Sequence, residues 1–192
     1  MKREDAKEVF IMTRSMKIIA GSFCFLTLLF LVFYCRFQNS VMLTCAIASG
    51  TTAYHFCIRL LIGWGYQQVL KNKVDYTKKW FQTTKKEEKL YEKLKVKKWK
   101  NKMPTFDSSA FDMRYHTLDE IAQAMCQSEL VHETIVIFSF VPILASIWVG
   151  ALPVFIITSV FAAFFDSLFV MMQRFNRPRM IRLMEKKTGQ DI

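Results

Sequence analysis

The stretch from residue 134 to residue 165, TIVIFSFVPILASIWVGALPVFIITSVFAAFF, contains 32 residues and not one formal charge. At a helical rise of ~1.5 Å per residue, it is too long for one crossing of a bilayer core about 30 Å thick, and short for two crossings. Gly150 and Pro153 offer a turn inside it, and the apolar pattern continues for about two turns beyond it. The stretch therefore predicts two membrane spans, near residues 134–149 and 152–173.

Two more uncharged runs lie closer to the N-terminus. Residues 18–35 would form a helix roughly 27 Å long, and the run 37–58 continues in apolar residues past Arg59. A cleaved signal peptide is the alternative for the first run, but signal peptides are usually shorter in their apolar part and end in small residues. These runs predict spans near residues 18–35 and 38–62, joined as an antiparallel hairpin.

The charge distribution orients these spans. Lys and Arg outnumber Asp and Glu by 27 to 16, and residues 71–102 alone hold 13 Lys against four acidic residues. Cytoplasmic loops carry such an excess, so we expect the loop 66–130 and the basic tail 174–192 to be cytoplasmic. Aromatic residues interleave with the lysines, which predicts an amphipathic helix on anionic headgroups. The predicted fold is an all-α, multi-pass membrane protein with about four transmembrane helices, both termini in the cytoplasm and a basic interfacial loop.

Several classes of protein are excluded by what the sequence lacks. Its five cysteines form no Cys-x-x-Cys pair, which argues against a disulfide framework or a zinc site. Gly-rich phosphate loops and the common hydrolase motifs are also missing. We expect no metal and no cofactor. Nucleic-acid binding is also not expected, because the basic charge lies where membrane topology already requires it.

A capping box at Thr117 and Glu120 predicts the start of a helix whose pattern nothing breaks before Pro142. Glu129 and His132 lie one turn apart on that helix, just before it enters the membrane. A His beside a carboxylate can act as a general base, so His132 would deprotonate a substrate hydroxyl while Glu129 stabilises the imidazolium. The alternative is that both are solvated interface residues.

A second pair, His55 and Arg59, is spaced by four residues on the second span, near its cytoplasmic end. This pair could bind an anionic headgroup. In the alternative, Arg59 reaches to the interface and His55 packs with a hydrogen bond. Asp166, inside the fourth span, either pairs with Arg59 or His55, or stays protonated and bonds a neighbouring helix.

A third cluster, residues 173–179 (QRFNRPR), follows the fourth span and carries three arginines around an Asn-x-Pro turn. The planar Arg fork binds phosphate or carboxylate with two hydrogen bonds, although a simple positive-inside anchor would look similar. All three clusters are predicted at the cytoplasmic level. One pocket there would be lined by His55, Arg59, Glu129, His132, Arg174 and Arg177.

Four segments resemble the glycosyl-diaponeurosporenoate acyltransferase family of the staphyloxanthin pathway. They are residues 97–100 (KKWK), 111–114 (FDMR), 128–132 (SELVH) and 173–179 (QRFNRPR). The resemblance covers roughly residues 91–183. Glu-x-x-His, followed by Gln-Arg-aromatic-Asn-Arg-Pro-Arg, is its most specific part, whereas the first half of the chain matches poorly.

Members of that family are integral membrane enzymes thought to esterify a sugar hydroxyl of a glycosylated carotenoid with a fatty acyl chain. The resemblance implies that Glu129 and His132 are the catalytic candidates. It implies donor or headgroup binding for Arg174, Asn176, Arg177 and Arg179. Trp99, in the KKWK segment, is a further substrate-binding candidate.

The resulting hypothesis is a cell-membrane acyltransferase, active at the cytoplasmic interface, that esterifies a hydroxyl of a lipid or glycolipid acceptor such as a carotenoid glycoside. Acyl-carrier protein, acyl-CoA and phospholipid are all open as donors, because a basic loop attracts each of them. Two alternatives stay open. One is a non-enzymatic accessory subunit or small transporter that contacts membrane lipids, and the other is a lipid-modifying enzyme of different chemistry.

Overall fold

A computed structural model describes residues 2–99 and 109–189, and over these residues the chain is helical, with no β-strand. The α-helices are α1 (Lys2–Phe37), α2 (Ser40–Leu70), α3 (Lys85–Lys93), α4 (Leu118–Phe138), α5 (Val141–Val149) and α6 (Leu152–Thr188). Short 3₁₀ turns lie at Lys79–Phe81, Val96–Lys98 and Ser109–Phe111. The all-α prediction is confirmed.

Four helical stretches are long and apolar enough to cross a membrane: Arg14–Phe37, Ser40–Leu70, Leu118–Val149 and Leu152–Lys187. Large apolar side chains on them point outward; Phe25 is 66%, Trp148 79% and Phe161 73% exposed. Exposed apolar surface of this extent is typical of lipid-facing helices. The prediction of about four helices long and apolar enough to span a membrane is confirmed, while the bounds of the spans and the cytoplasmic position of the termini stay predictions.

The chain divides into two compact units. Residues 11–64 and 134–166 form one, which we call the membrane unit. Residues 1–10, 65–133 and 167–192 belong to the other, which we call the basic unit because it contains the lysine-rich loop and the tail.

The membrane unit contains the predicted hairpin of α1 and α2. Gln38 adopts a left-handed conformation with φ 50° at the turn, and the Asn39 side chain accepts a hydrogen bond of 2.8 Å from a backbone N–H at the start of α2. Midway along the hairpin, the Thr27 hydroxyl donates to Ser49 Oγ at 3.1 Å. Gly50 allows this approach, because a Cβ at that position would lie 3.2 Å from the Thr27 methyl group.

The third span is broken near Pro142, earlier than the sequence pattern indicates: α4 ends at Phe138 and α5 begins at Val141. Proline has no N–H, so the Phe138 carbonyl, four residues upstream, loses its helical donor. The hydroxyl of Tyr54 on α2 donates to this carbonyl at 2.9 Å. The break is thus stabilised by a hydrogen bond from a neighbouring helix.

The predicted turn between the last two spans is confirmed at Gly150, where φ is +70°. Pro153 then lies in the first turn of α6, where its missing N–H costs nothing. The predicted Asn-x-Pro turn at residues 176–178 is wrong, because α6 continues without a break through Pro178 to Thr188. The tail is therefore helical over most of its length.

In the basic unit, a small apolar core fixes the segment after α2 against α4. The core consists of Val74, Phe81 and Cys126, with Leu70, Tyr76 and Leu130 packed around it. The helix expected in the basic loop is α3, which begins with a capping box between Thr84 and Glu87 and buries Tyr91. Its contact with lipid headgroups stays a prediction.

The capping box predicted before α4 is confirmed. The backbone N–H of Glu120 donates to Thr117 Oγ1 at 3.2 Å, and the Thr117 N–H donates to the Glu120 carboxylate at 2.8 Å. This start sets the helical register that brings Glu129 to a buried face two and a half turns later.

Candidate functional site

Glu129 on α4 lies at the centre of a buried charge cluster, consisting of Glu87, Glu129, Arg174 and Arg177. Its side chain is 0% exposed. Arg174 Nη1 donates to one carboxylate oxygen at 2.6 Å, and Arg177 Nη1 donates to the other. Both arginines project from one face of α6, since they are three residues apart. The cluster therefore joins α4 to α6.

The same arginines also hold the basic loop. Arg174 donates to the backbone carbonyls of Trp80 at 2.9 Å and Gln82 at 3.2 Å, while Arg177 donates to that of Phe81. The guanidinium of Arg177 also lies over the Phe81 ring, 5.1 Å from its centroid. Three successive carbonyls at the end of the 3₁₀ turn Lys79–Phe81 thereby accept hydrogen bonds from α6.

Glu87 completes the cluster by accepting from Arg174 Nε at 2.9 Å. Burial disfavours its charged form, but hydrogen bonds from the Thr84 backbone N–H and from Arg174 outweigh burial and lower the Glu87 pKa to about 2. Two carboxylates and two guanidiniums give the cluster no formal net charge, which is the arrangement that buried ions require.

A hydrogen bond from Thr83 allows α6 to continue through Pro178. The missing N–H of this proline leaves the Arg174 carbonyl without a helical donor, and the Thr83 hydroxyl donates to this carbonyl at 3.1 Å. Thr83 belongs to the segment whose neighbouring carbonyls bind the arginines. The loop and α6 therefore satisfy each other's free backbone groups.

His132 lies one turn after Glu129 on α4 and is partly exposed. Its ring stacks on that of Phe169 on α6, with centroids 4.6 Å apart and an angle of 8° between the planes. A carboxylate has about four lone-pair positions, so Glu129 can accept a further donor beside its two arginines. Orientation of His132 by Glu129 stays a prediction.

The other candidates in the basic unit occupy its surface. Arg179 is exposed, and its guanidinium lies 4.1 Å from the centroid of the Phe175 ring. Asn176 and Trp99 are partly exposed. Arg177, by contrast, is 1% exposed, so a phosphate reaches its guanidinium only if the charge cluster opens.

A pocket of ≈ 330 Å³ also belongs to the basic unit. Leu70, Val74, Phe81 and Leu130 provide apolar walls, and the lysines at 73 and 78 lie beside them. Trp80 lines the pocket too, and its indole N–H donates to Glu133 at 2.9 Å. The volume falls at the lower end of the range that is usual for small-molecule sites.

In the membrane unit, Asp166 forms an ion pair with Arg59, which is one of the alternatives predicted for Asp166. A second guanidinium nitrogen of Arg59 donates to the His55 carbonyl at 2.9 Å, so the guanidinium folds back along α2. His55 is 5% exposed, and its ring nitrogens have no hydrogen-bond partner among the described residues. No described residue supplies the hydrogen bond of the alternative in which His55 packs, and both interpretations of His55 stay predictions. A single pocket lined by all six predicted residues stays a prediction.

Glu87, Thr83 and Trp80 are not among the site residues that the sequence predicts. A signal existed for Glu87, because Thr84-x-x-Glu87 is itself a capping-box pattern. No local pattern identifies Thr83 or the carbonyls of residues 80–82. Their partners on α6 lie about 90 residues away in sequence.

Comparison with known proteins identifies a family. A family model described as glycosyl-4,4'-diaponeurosporenoate acyltransferase matches residues 77–186, which is more than half of the chain. No curated protein and no solved structure matches. The matched range contains His132 and the whole charge cluster, but neither His55 nor Arg59. The resemblance seen in residues 91–183 is thus confirmed, and the chain belongs to the glycosyl-4,4'-diaponeurosporenoate acyltransferase family.

Proposed function

We propose that this membrane acyltransferase transfers a fatty acyl chain to a hydroxyl of a glycosylated carotenoid or a related glycolipid, with His132 as the general base, at the cytoplasmic face of the cell membrane. The family match over residues 77–186 carries this proposal. It includes α4 and most of α6, and thus both partners of the His132–Phe169 stack.

The proposed reaction follows ordinary acyl-transfer chemistry. A ring nitrogen of His132 accepts the proton of the acceptor hydroxyl while the hydroxyl oxygen attacks the acyl carbonyl. The tetrahedral intermediate then collapses, the bond from carbon to the donor's leaving atom breaks, and the imidazolium returns the proton to that atom. The products are the ester and the deacylated donor.

The charge cluster would act mainly by holding His132 in a fixed position. Glu129 and the two arginines fix α4 against α6, and this holds the His132 ring on Phe169. A general base needs such a fixed orientation, because proton transfer requires alignment within hydrogen-bond reach.

The acyl donor would bind to the basic unit. Lys73 and Lys78 are exposed beside the apolar walls of the pocket, so they suit an acidic donor whose acyl chain enters the pocket. Arg179 and Asn176, both accessible, are further candidates for the donor's phosphate or headgroup.

Mass spectrometry of lipid extracts tests this function. Cells that make the glycosylated acceptor would express wild type, His132→Ala or His116→Ala at equal membrane levels. His116 is the matched control, since it belongs to the same unit and its only ion pair in the described residues is a 3.6 Å contact with Glu120. We expect the acylated product with wild type and with His116→Ala, and a loss of about 100-fold or more with His132→Ala. Equal product from all three would remove His132 from the mechanism.

A further inference from the structure

Two buried side chains in the membrane unit have polar atoms that bond to nothing in the described residues. His55 on α2 is 5% exposed and both of its ring nitrogens are without a partner. Ser159 on α6 is 0% exposed and its hydroxyl is likewise without a partner. Buried polar groups are nearly always hydrogen-bonded, and in lipid an unmet group is especially costly. Such a pair indicates a place where a ligand supplies the missing bonds.

The contacts of Arg59 place these two groups within about one helical turn of each other in depth. Arg59 binds Asp166 and reaches the Ala162 carbonyl at 3.5 Å, so this part of α2 packs on α6. Successive spans run in opposite directions, and the second and fourth are therefore parallel. His55 lies one turn before Arg59, and Ser159 nearly one turn before Ala162, on the same helix faces.

The charge of the surroundings defines the class of ligand. Asp166 neutralises Arg59, and the His55 carbonyl takes a further N–H of the guanidinium. An anionic headgroup would therefore meet no free positive charge here. A neutral imidazole offers one donor and one acceptor, and a serine hydroxyl offers both as well. These groups suit a neutral hydroxyl or carbonyl.

We propose that His55 and Ser159 form a buried site within the membrane unit that hydrogen-bonds a neutral hydroxyl or carbonyl group of the enzyme's lipid substrate. This inference rests on the proposed acyl transfer, which requires both a hydroxyl-bearing acceptor and a carbonyl-bearing donor. It adds His55, which lies outside the family match, to Ser159, which lies inside it.

Solid-state NMR of the full chain in proteoliposomes tests the site directly. The chain has three histidines, so ring-¹⁵N-histidine labelling gives three pairs of signals that single His→Gln variants assign. Three probes with the same eight-carbon chain would be added: octyl glucoside, methyl octanoate and octyl phosphate. We expect a saturable shift of the His55 signal with the glucoside, which would identify the acceptor's hydroxyl, or with the ester, which would identify the donor's carbonyl.

Ser159→Ala should raise the half-saturating probe concentration about five- to tenfold, as loss of one buried hydrogen bond does. Thr158→Ala is the matched control, because the Thr158 hydroxyl already bonds the Val154 carbonyl of its own helix at 2.8 Å. A His55 signal that responds only to octyl phosphate, to no probe, or equally in Ser159→Ala would overturn the proposal. Because this readout is binding, it succeeds or fails independently of acyl-transfer activity.

Discussion

Glu129 and Arg177 form an ion pair that is almost completely enclosed by protein, with side chains 0% and 1% exposed. Because almost no water reaches either charge, each is stabilised by the other and by the rest of the charge cluster. The pair joins α4 to α6. On α4, Glu129 lies one turn before His132, which stacks on Phe169 of α6. The geometry of the proposed catalytic residue thus depends on this ion pair.

Loss of Glu129 should destabilise the protein strongly. Glu129→Ala leaves Arg177 buried without its carboxylate, which typically costs about 3–5 kcal/mol. Adding Arg177→Met to this variant should restore part of the loss, because no uncompensated charge remains. Unfolding in mixed micelles at increasing SDS concentration would measure both variants. Asp112→Ala is the control, since Asp112 pairs with the 52% exposed Arg114 and should cost less than about 1 kcal/mol. Similar losses for Glu129→Ala and Asp112→Ala would contradict a structural role for the buried pair.

The bond from Thr83 to the Arg174 carbonyl should matter only because of Pro178. Thr83→Val removes the hydroxyl that replaces the missing helical donor, and should cost about 1 kcal/mol. In a Pro178→Ala background the new N–H can reach the same carbonyl, so Thr83→Val should then cost much less. A double-mutant cycle on the same unfolding assay measures this coupling. An equal cost of Thr83→Val in both backgrounds would show that the proline does not create the need for Thr83.

Acid should loosen the loop through Glu87. The pKa of Glu87 is lowered from 4.5 to about 2, so its carboxylate contributes stability that is fully present above about pH 4.5 and is lost as the pH falls towards 2. Glu87→Gln should therefore show a smaller loss of thermal stability across that range than wild type. Glu88→Gln is the control, because Glu88 is 48% exposed and lies 3.9 Å from Arg182. If Glu87→Gln and wild type lose the same stability between pH 4.5 and 2, the pairing of Glu87 with Arg174 is not what stabilises the loop.

Hydropathy and capping patterns predicted most of the helices because they are local signals. The uncharged run of residues 134–165 and the Thr117 capping box both depend on neighbours within a few turns. The turn at Gly150 follows equally from local conformational preference.

Long-range bonds account for what the sequence did not predict. The sequence predicts a turn at residues 176–178, yet α6 continues through Pro178, where the hydroxyl of Thr83, 91 positions away, donates to the freed carbonyl of Arg174. The sequence predicts that Arg174 binds a phosphate or headgroup, yet its N–H groups donate to Glu87, to Glu129 and to backbone carbonyls. Charge alone identifies neither partner, since the basic loop and the tail contain many equivalent residues.

The most direct test of the account is acyl transfer by the purified protein in proteoliposomes. The acceptor would be a glycosylated diaponeurosporenoate. Three donors, namely acyl-CoA, acyl-carrier protein and phospholipid, would each carry the same isotope-labelled acyl chain. The mass of the product would be recorded over time. We predict a product heavier by one labelled acyl chain, formed by wild type and by His116→Ala but reduced about 100-fold or more in His132→Ala. No acylated product from any of the three donors with correctly folded wild type would contradict the account.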